Sequence, residues 1–309
     1  MSLDEINKIF GSLYSCKAWQ LQLLSIIITK KHNIEYFSRR IVLMPIEKLN
    51  EFTSNLITTY IDTKKGKLLQ YSDVTTYDGT AVSTTIYELS SQNHLILKEF
   101  ESFITTVSIP DNESDPLETP AQAYILSGII NINDEEVDVK LISMQNPIIN
   151  LKHKFLYDKG TFEEIKNKVL SLRLAIDVMI VNRTVYFFSM TGEKLFNMER
   201  SYKIICKERV EEIIRSGIIT DNDAFKNIAI TGFNARRFIS FNTQSMHELM
   251  NSDIRKQISN KFIIPLSGDR FDTNKEGVCE KLIKLLCNKG MLDPFENTPV
   301  EVTGIKKWK

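Results

Sequence analysis

Two pairs of neighbouring segments commit this chain to antiparallel pairing. "AYILSGIINI" (residues 123–132) and "EVDVKLISM" (residues 136–144) are rich in branched residues and are separated only by the turn residues around "NDE". "LAIDVMIVN" (residues 174–182) and "TVYFFSM" (residues 184–190) repeat the arrangement, with Asn182 and Arg183 near the turn. Runs of β-branched and aromatic residues bounded by turn-formers read as hairpins. "AWQLQLLSIIIT" and "EYFSRRIVLM" read as two further strands, "KLLQYSDV" and "VSTTIYEL" as weaker ones, and "KFIIPL" and "TPVEVTGIKKWK" as late ones.

Helical spacing separates these strands. Ile46, Leu49, Phe52, Leu56 and Tyr60 recur on one helical face behind Pro45, which suits a first helical position. Residues 3–11, "HLILKEFESFITTV", "TFEEIKNKVLSL" and "MHELMNSDIRKQISN" also read as helical. "ERSYKIICKERVEEIIRSG" reads as a helix ending at Gly217, and "DNDAFKNIAI" opens on capping residues. "KEGVCEKLIKLLCNKG" carries Val278, Leu282 and Leu285 on one stripe and stops at Gly290. Hairpins without regular βαβ alternation predict an α+β fold: two α+β domains with mostly antiparallel sheets and helices packed on them. At 309 residues, two compact units are expected.

The expected boundary is "SIPDNESDPLETPAQ" (residues 108–122), which has three prolines, four acids and no apolar period. It divides the chain into an N-terminal domain over residues 1–107, a linker or loop over 108–120 and a C-terminal domain over 121–309. Charge divides in a similar way. Residues 1–150 hold 12 Lys+Arg against 19 Asp+Glu, and residues 151–309 hold 27 against 20, although the whole chain is neutral. Such asymmetry points to an anionic partner for the second half, to contact between the halves, or to solubility alone.

No apolar stretch reaches the ~20 residues a membrane span needs, and the N-terminus has no export signal. The four cysteines, Cys16, Cys206, Cys279 and Cys287, form no CxxC pair. Cys279 and Cys287 lie too far apart along one helix for a disulfide. A cytoplasmic location is expected. The chain has no Walker A loop, GxGxxG, GxSxG or HExxH motif, and its four histidines are isolated, so no cofactor or metal site is expected.

Two chemistries fit the residues. Asp111, after Pro110, with Asp138 and Lys140 in "DVK", matches the spacing of a magnesium-dependent nuclease of the PD-(D/E)xK type. There two carboxylates hold the metal and a lysine stands near the attacking water. Alternatively, cations interleaved with aromatics in "KHNIEYFSRR", "NARRF" and "IKKWK" suit nucleic acid, the cations for phosphate and the rings for unpaired bases. A helix from Asn234 sets Arg236 about 100° from Arg237. Arg236 is then the candidate for a phosphate, and Arg237 for pairing with Asp269 or Asp272. On the closing strand, alternation puts Lys307 and Lys309 on one face, and Lys306 with Trp308 on the other.

The segments "TVYFFSM", "EKLFNMERSYKIICKERVEEII", "NARRFISF", "ISNKFIIPLSGDRFDT", "CEKLIKLLCNKGMLDPF" and "PVEVTGIKKWK" occur in this order. The order resembles the family of unknown-function domains found in KwaB, the soluble component of the Kiwa anti-phage defence system. The resemblance covers about residues 121–309. It implies a non-enzymatic protein that binds invading phage DNA and hinders its replication or transcription. It also implies a small membrane partner, KwaA, which recruits the protein to the inner membrane. A homodimer or higher oligomer is expected. A magnesium-dependent nuclease and a protein-only adaptor are the alternatives.

Overall fold

The computed structural model describes residues 3–16, 18–28, 34–41, 44–65, 67–74, 77, 84–89, 94–109, 121–149, 154–165, 168–231, 233–288, 290–292 and 299–301. The fold is α+β. The chain forms two compact units, one of Met1–Ser72 with Val82–Asn197 and the other of Asp73–Ala81 with Met198–Lys309.

Unit 1 is built on an eight-stranded sheet. Its elements in chain order are α1 (Leu3–Leu13), β1 (Gln20–Ile28), β2 (Ile34–Ile41), α2 (Ile46–Lys64), β3 (Gln70–Asp73), β4 (Thr85–Leu89), α3 (His94–Ser108), β5 (Ala123–Ile132), β6 (Glu135–Ser143), β7 (Ile148–Ile149), β8 (Lys154–Asp158), β9 (Thr161–Ile165), β10 (Val169–Leu170), β11 (Val178–Val181) and β12 (Thr184–Phe187). The strand order of the sheet is β2-β1-β5-β6-β11-β12-β4-β3. β5 pairs antiparallel with β1 and with β6, and β11 with β6 and with β12.

Alternation sorts the side chains of this sheet onto two faces. Leu21, Leu23, Tyr124, Leu126, Leu141, Met179 and Tyr186 share one face and pack with Ile9 and Phe10 of α1 and Leu56, Ile57 and Tyr60 of α2. Phe10 and Tyr60 stack there with ring centroids 4.6 Å apart. The opposite face receives α3 and a 3₁₀ turn at Met190–Phe196. Phe196 lies edge-on to both Phe103 of α3 and Phe187 of β12. Gln22, buried on that face, donates to the carbonyl of Val107 at 3.0 Å. The turn comes close because residue 192 is glycine; a Cβ there would collide with Val178. Each fully buried ring or branched side chain contributes roughly 1.5–3 kcal/mol, so the two faces together hold the sheet.

Unit 2 is mainly helical. It contains α4 (Met198–Ser216), α5 (Asn222–Ala229), α6 (Asn234–Arg237), a 3₁₀ turn at Phe238–Ser240, α7 (Thr243–Glu248), α8 (Ser252–Phe262), β13 (Leu266–Ser267), β14 (Arg270–Phe271), α9 (Val278–Leu286), β15 (Gly290–Leu292) and β16 (Pro299–Glu301). Cys206, Val210 and Ile213 of α4 pack with Phe225, Phe238 and Met246 around Val278, Leu282, Ile283 and Leu286 of α9. Leu282 and Val278 belong to the stripe expected from the sequence, whereas Leu285 is only partly buried. Gly217 closes α4 at φ 69°, and the Asp221 side chain caps α5 by accepting from the Ala224 amide at 2.9 Å.

Four expectations need correction. The compact units do not divide at residues 108–120. β5, which follows that run, is hydrogen-bonded to β1, which precedes it, so strands from both sides build one sheet. Within the run, residues 110–120 lie outside the described residues. "TFEEIKNKVLSL" is not a helix. Lys159 (φ 47°) and Gly160 (φ 89°) make a two-residue turn that folds β9 back onto β8. "KFIIPL" is not a strand. Lys261 and Phe262 finish α8, Ile263 takes a left-handed conformation, and pairing begins only at Leu266. Gly290 does not stop α9, which ends at Leu286; Gly290 opens β15.

Candidate functional site

Among the described residues, three places hold groups with chemistry to offer, and the first is the outer end of the β5–β6 hairpin. Cross-strand register sets Ser127 opposite Lys140, Ile129 opposite Asp138 and Asn131 opposite Glu136, all on one face. Ser127, Ile129, Asn131, Glu136 and Asp138, but not Lys140, line an open hollow of about 500 Å³ with Gln20. Lys140 is a buried lysine, 5% exposed, and its ammonium is ion-paired with the half-exposed carboxylate of Asp138. A buried ammonium is stable only when paired, so this contact has a structural reason of its own. The third member of the nuclease candidate, Asp111, lies outside the described residues. Among the described residues, no group of three or more His, Cys, Asp or Glu is placed to hold a metal ion.

The second place is around the two arginines of "NARRF". The guanidinium of Arg236 sits 4.5 Å from the ring centroid of Tyr77 and 4.6 Å from that of Tyr202. Both rings are buried. The Glu199 carboxyl is held below its ordinary pKa, chiefly by its hydrogen bond and ion pair with Lys203 and in part by the Arg236 charge. Arg236 is thus half-buried and stacked, where the sequence pointed to an outward cation. Its neighbour Arg237 reaches back one turn to the side-chain oxygen of Asn234 at 2.7 Å.

The acids expected for Arg237 are engaged elsewhere. Asp269 pairs with Arg255 at 3.1 Å, and Asp272 accepts from Thr220 and Asn274. Arg255 is 6% exposed and also donates to the carbonyls of Leu249, Met250 and Asp269. It ties the end of α7 to the β13–β14 turn. Nothing in the spacing of "SDIRKQ" distinguishes this buried arginine from a solvated helix residue, so its role is not legible in the sequence.

The third place is the face of unit 2 beside the closing strand. Lys281 and Lys284 of α9 flank a hollow of about 160 Å³ lined also by Phe262, Leu285, Pro299 and Val300. Lys281 is exposed and donates to the Ile263 carbonyl at 3.1 Å. β16 runs along this hollow, and the chain continues from it into "VTGIKKWK". Lys307 and Lys309 lie outside the described residues.

Redrawing the units redistributes the charge. Unit 2 holds 19 Lys+Arg against 17 Asp+Glu, and unit 1 holds 20 against 22. The asymmetry between sequence halves therefore nearly vanishes, and any attraction for an anion has to come from local clusters. All four cysteines are free thiols, and burial pushes Cys206 and Cys279 up to about 11, which keeps them protonated and poorly nucleophilic near neutrality. Among the described residues, no helix is long and apolar enough to cross a membrane. No protein family, curated protein or solved structure matches the chain.

Proposed function

We propose that this is a non-enzymatic binding protein of anti-phage defence that engages DNA through the α9–β16 face of unit 2. The observation that carries the reading is the pairing of Lys281 and Lys284 beside the strand that leads to Lys306, Lys307 and Lys309. Lys281 and Lys284 offer local phosphate contacts in a protein without net charge, to which the lysines that follow β16 in sequence would add, and counterion release then makes the binding salt-dependent. The KwaB resemblance supports the biological setting: a cytoplasmic protein recruited to the inner membrane by a small membrane partner of the KwaA kind. Arg236 is better explained as a packing residue, because its guanidinium lies over two buried rings.

A second reading, the magnesium-dependent nuclease, has one observation in its favour. Asp138 and Glu136 line a hollow with Lys140 at hand. Purified protein mixed with labelled DNA at two salt concentrations, with and without magnesium, separates the readings. The proposed function predicts binding that weakens with salt and no cutting. Cutting that requires magnesium would favour the nuclease, and no binding at low salt would leave a protein-only adaptor.

A further inference from the structure

The β8–β9 hairpin exposes apolar side chains on both of its faces. Phe155 is 58% exposed, Leu156 56%, Tyr157 63% and Phe162 72%. Tyr157 and Phe162 are a cross-strand pair with ring centroids 4.9 Å apart, so the rings support each other while their outer surfaces stay open. Among the described residues the two strands pair only with each other. A solitary two-stranded ribbon is marginal in water, and an unpaired edge carrying exposed apolar side chains invites another strand.

The outer edge of β8 is suited to one partner in particular. The turn at Lys159–Gly160 makes Asp158 and Thr161 the ladder-closing pair, with Leu156 opposite Glu163 and Lys154 opposite Ile165. A two-residue turn gives that closing pair mutual hydrogen bonds, and the alternation continues along the ladder. Lys154, Leu156 and Asp158 therefore turn their amides and carbonyls toward β9. Phe155 and Tyr157 turn theirs outward.

The strand reads "KFLYD": cation, ring, aliphatic, ring, anion. This order is complementary to itself when reversed. Laid antiparallel on a second copy about Leu156, it sets Phe155 opposite Tyr157 and Lys154 opposite Asp158. The pairs whose backbone groups face outward are the ones that would hydrogen-bond across the new edge. A shift of one residue would lose those bonds, and a shift of two would lose the charge match. The same test disfavours the other edge, because antiparallel pairing of β9 with itself brings Glu163 and Glu164 of both copies together.

We propose that β8 is a self-association edge and that two copies of this chain join through it into a four-stranded ribbon with strand order β9-β8-β8-β9 and a two-fold axis at Leu156. The contact is isologous, so each copy supplies both the cation and the anion. Edges of five residues fall short of the ~1,200 Å² of a stable specific interface, so the dimer dissociates on dilution.

Sedimentation equilibrium of the full chain over a concentration series tests this. The wild type should shift from monomer to dimer. Leu156→Lys should abolish the shift, because it sets two ammonium groups face to face on the axis while altering only an exposed side chain. Lys154→Asp and Asp158→Lys should each weaken dimerisation about tenfold or more, through two like-charge pairs per dimer. The double variant should regain the wild-type constant. A wild type that stays monomeric up to its solubility limit would overturn the proposal and assign the hairpin to some other partner. So would a dimer indifferent to Leu156→Lys, or a double variant no better than the singles. Circular dichroism of each variant confirms that the fold is kept.

Discussion

The guanidinium of Arg236 lies over the ring of Tyr202, with its central carbon 4.6 Å from the ring centroid, and over the ring of Tyr77 at 4.5 Å. One cation thereby fixes residues from two distant stretches of sequence within unit 2. Each contact is worth about 0.5–2 kcal/mol, depending on how dry it is. Arg236→Ala should lower stability to urea by about 2 kcal/mol. Arg236→Lys should recover only part of that loss, because an ammonium lacks the planar faces that stack. If Arg236→Ala leaves stability unchanged while DNA affinity falls, the arginine belongs to the binding surface after all.

Asp138 and Lys140 make a second prediction, in unit 1. Asp138→Ala leaves a buried ammonium without its carboxylate, which should destabilise the fold by about 2 kcal/mol. Lys140→Met in the same chain should restore most of the loss, because it removes the charge that needed a partner. A double-mutant cycle by chemical denaturation gives the coupling. The nuclease reading expects something different: a folded, undiminished Asp138→Ala protein that has lost a magnesium-dependent activity.

Pairing of β1 with β5 gives a third prediction. A specific protease site placed within residues 111–119 should allow cutting without separation. The two pieces belong to one sheet and should co-elute under native conditions, parting only in denaturant. Fragments that separate without denaturant would restore a domain boundary at this run.

Much of the architecture was legible because it rests on local patterns. Alternation in "AYILSGIINI" and "EVDVKLISM" and the helical spacing from Ile46 to Tyr60 each produce the element they imply. Pairing across the chain was not legible. Nothing local in "QLQLLSIII" says that it will accept β5 from beyond an acidic, proline-containing run, since that choice depends on complementary faces rather than on propensity. "TFEEI" carried a helix-compatible composition, but the turn at Lys159–Gly160 and the Tyr157–Phe162 pair made it a strand. For the site, helical geometry separated Arg236 from Arg237 but could not supply the two tyrosines. Tyr77 lies over 150 residues from Arg236 in sequence, and only the fold brings it there.

The most direct test of the proposed function is the slope of log affinity against log salt for a short duplex, measured by fluorescence anisotropy. Each phosphate contact contributes about 0.9 to the magnitude of that slope. The wild type should show salt-dependent binding without magnesium. The Lys307→Ala, Lys309→Ala pair should weaken binding about equally across sequences and lower the slope by nearly 2. Lys281→Ala with Lys284→Ala should act in the same direction if the α9–β16 face is one surface. An unchanged slope in both double variants, with folding intact, would contradict the account and return these lysines to the role of solvated surface charges.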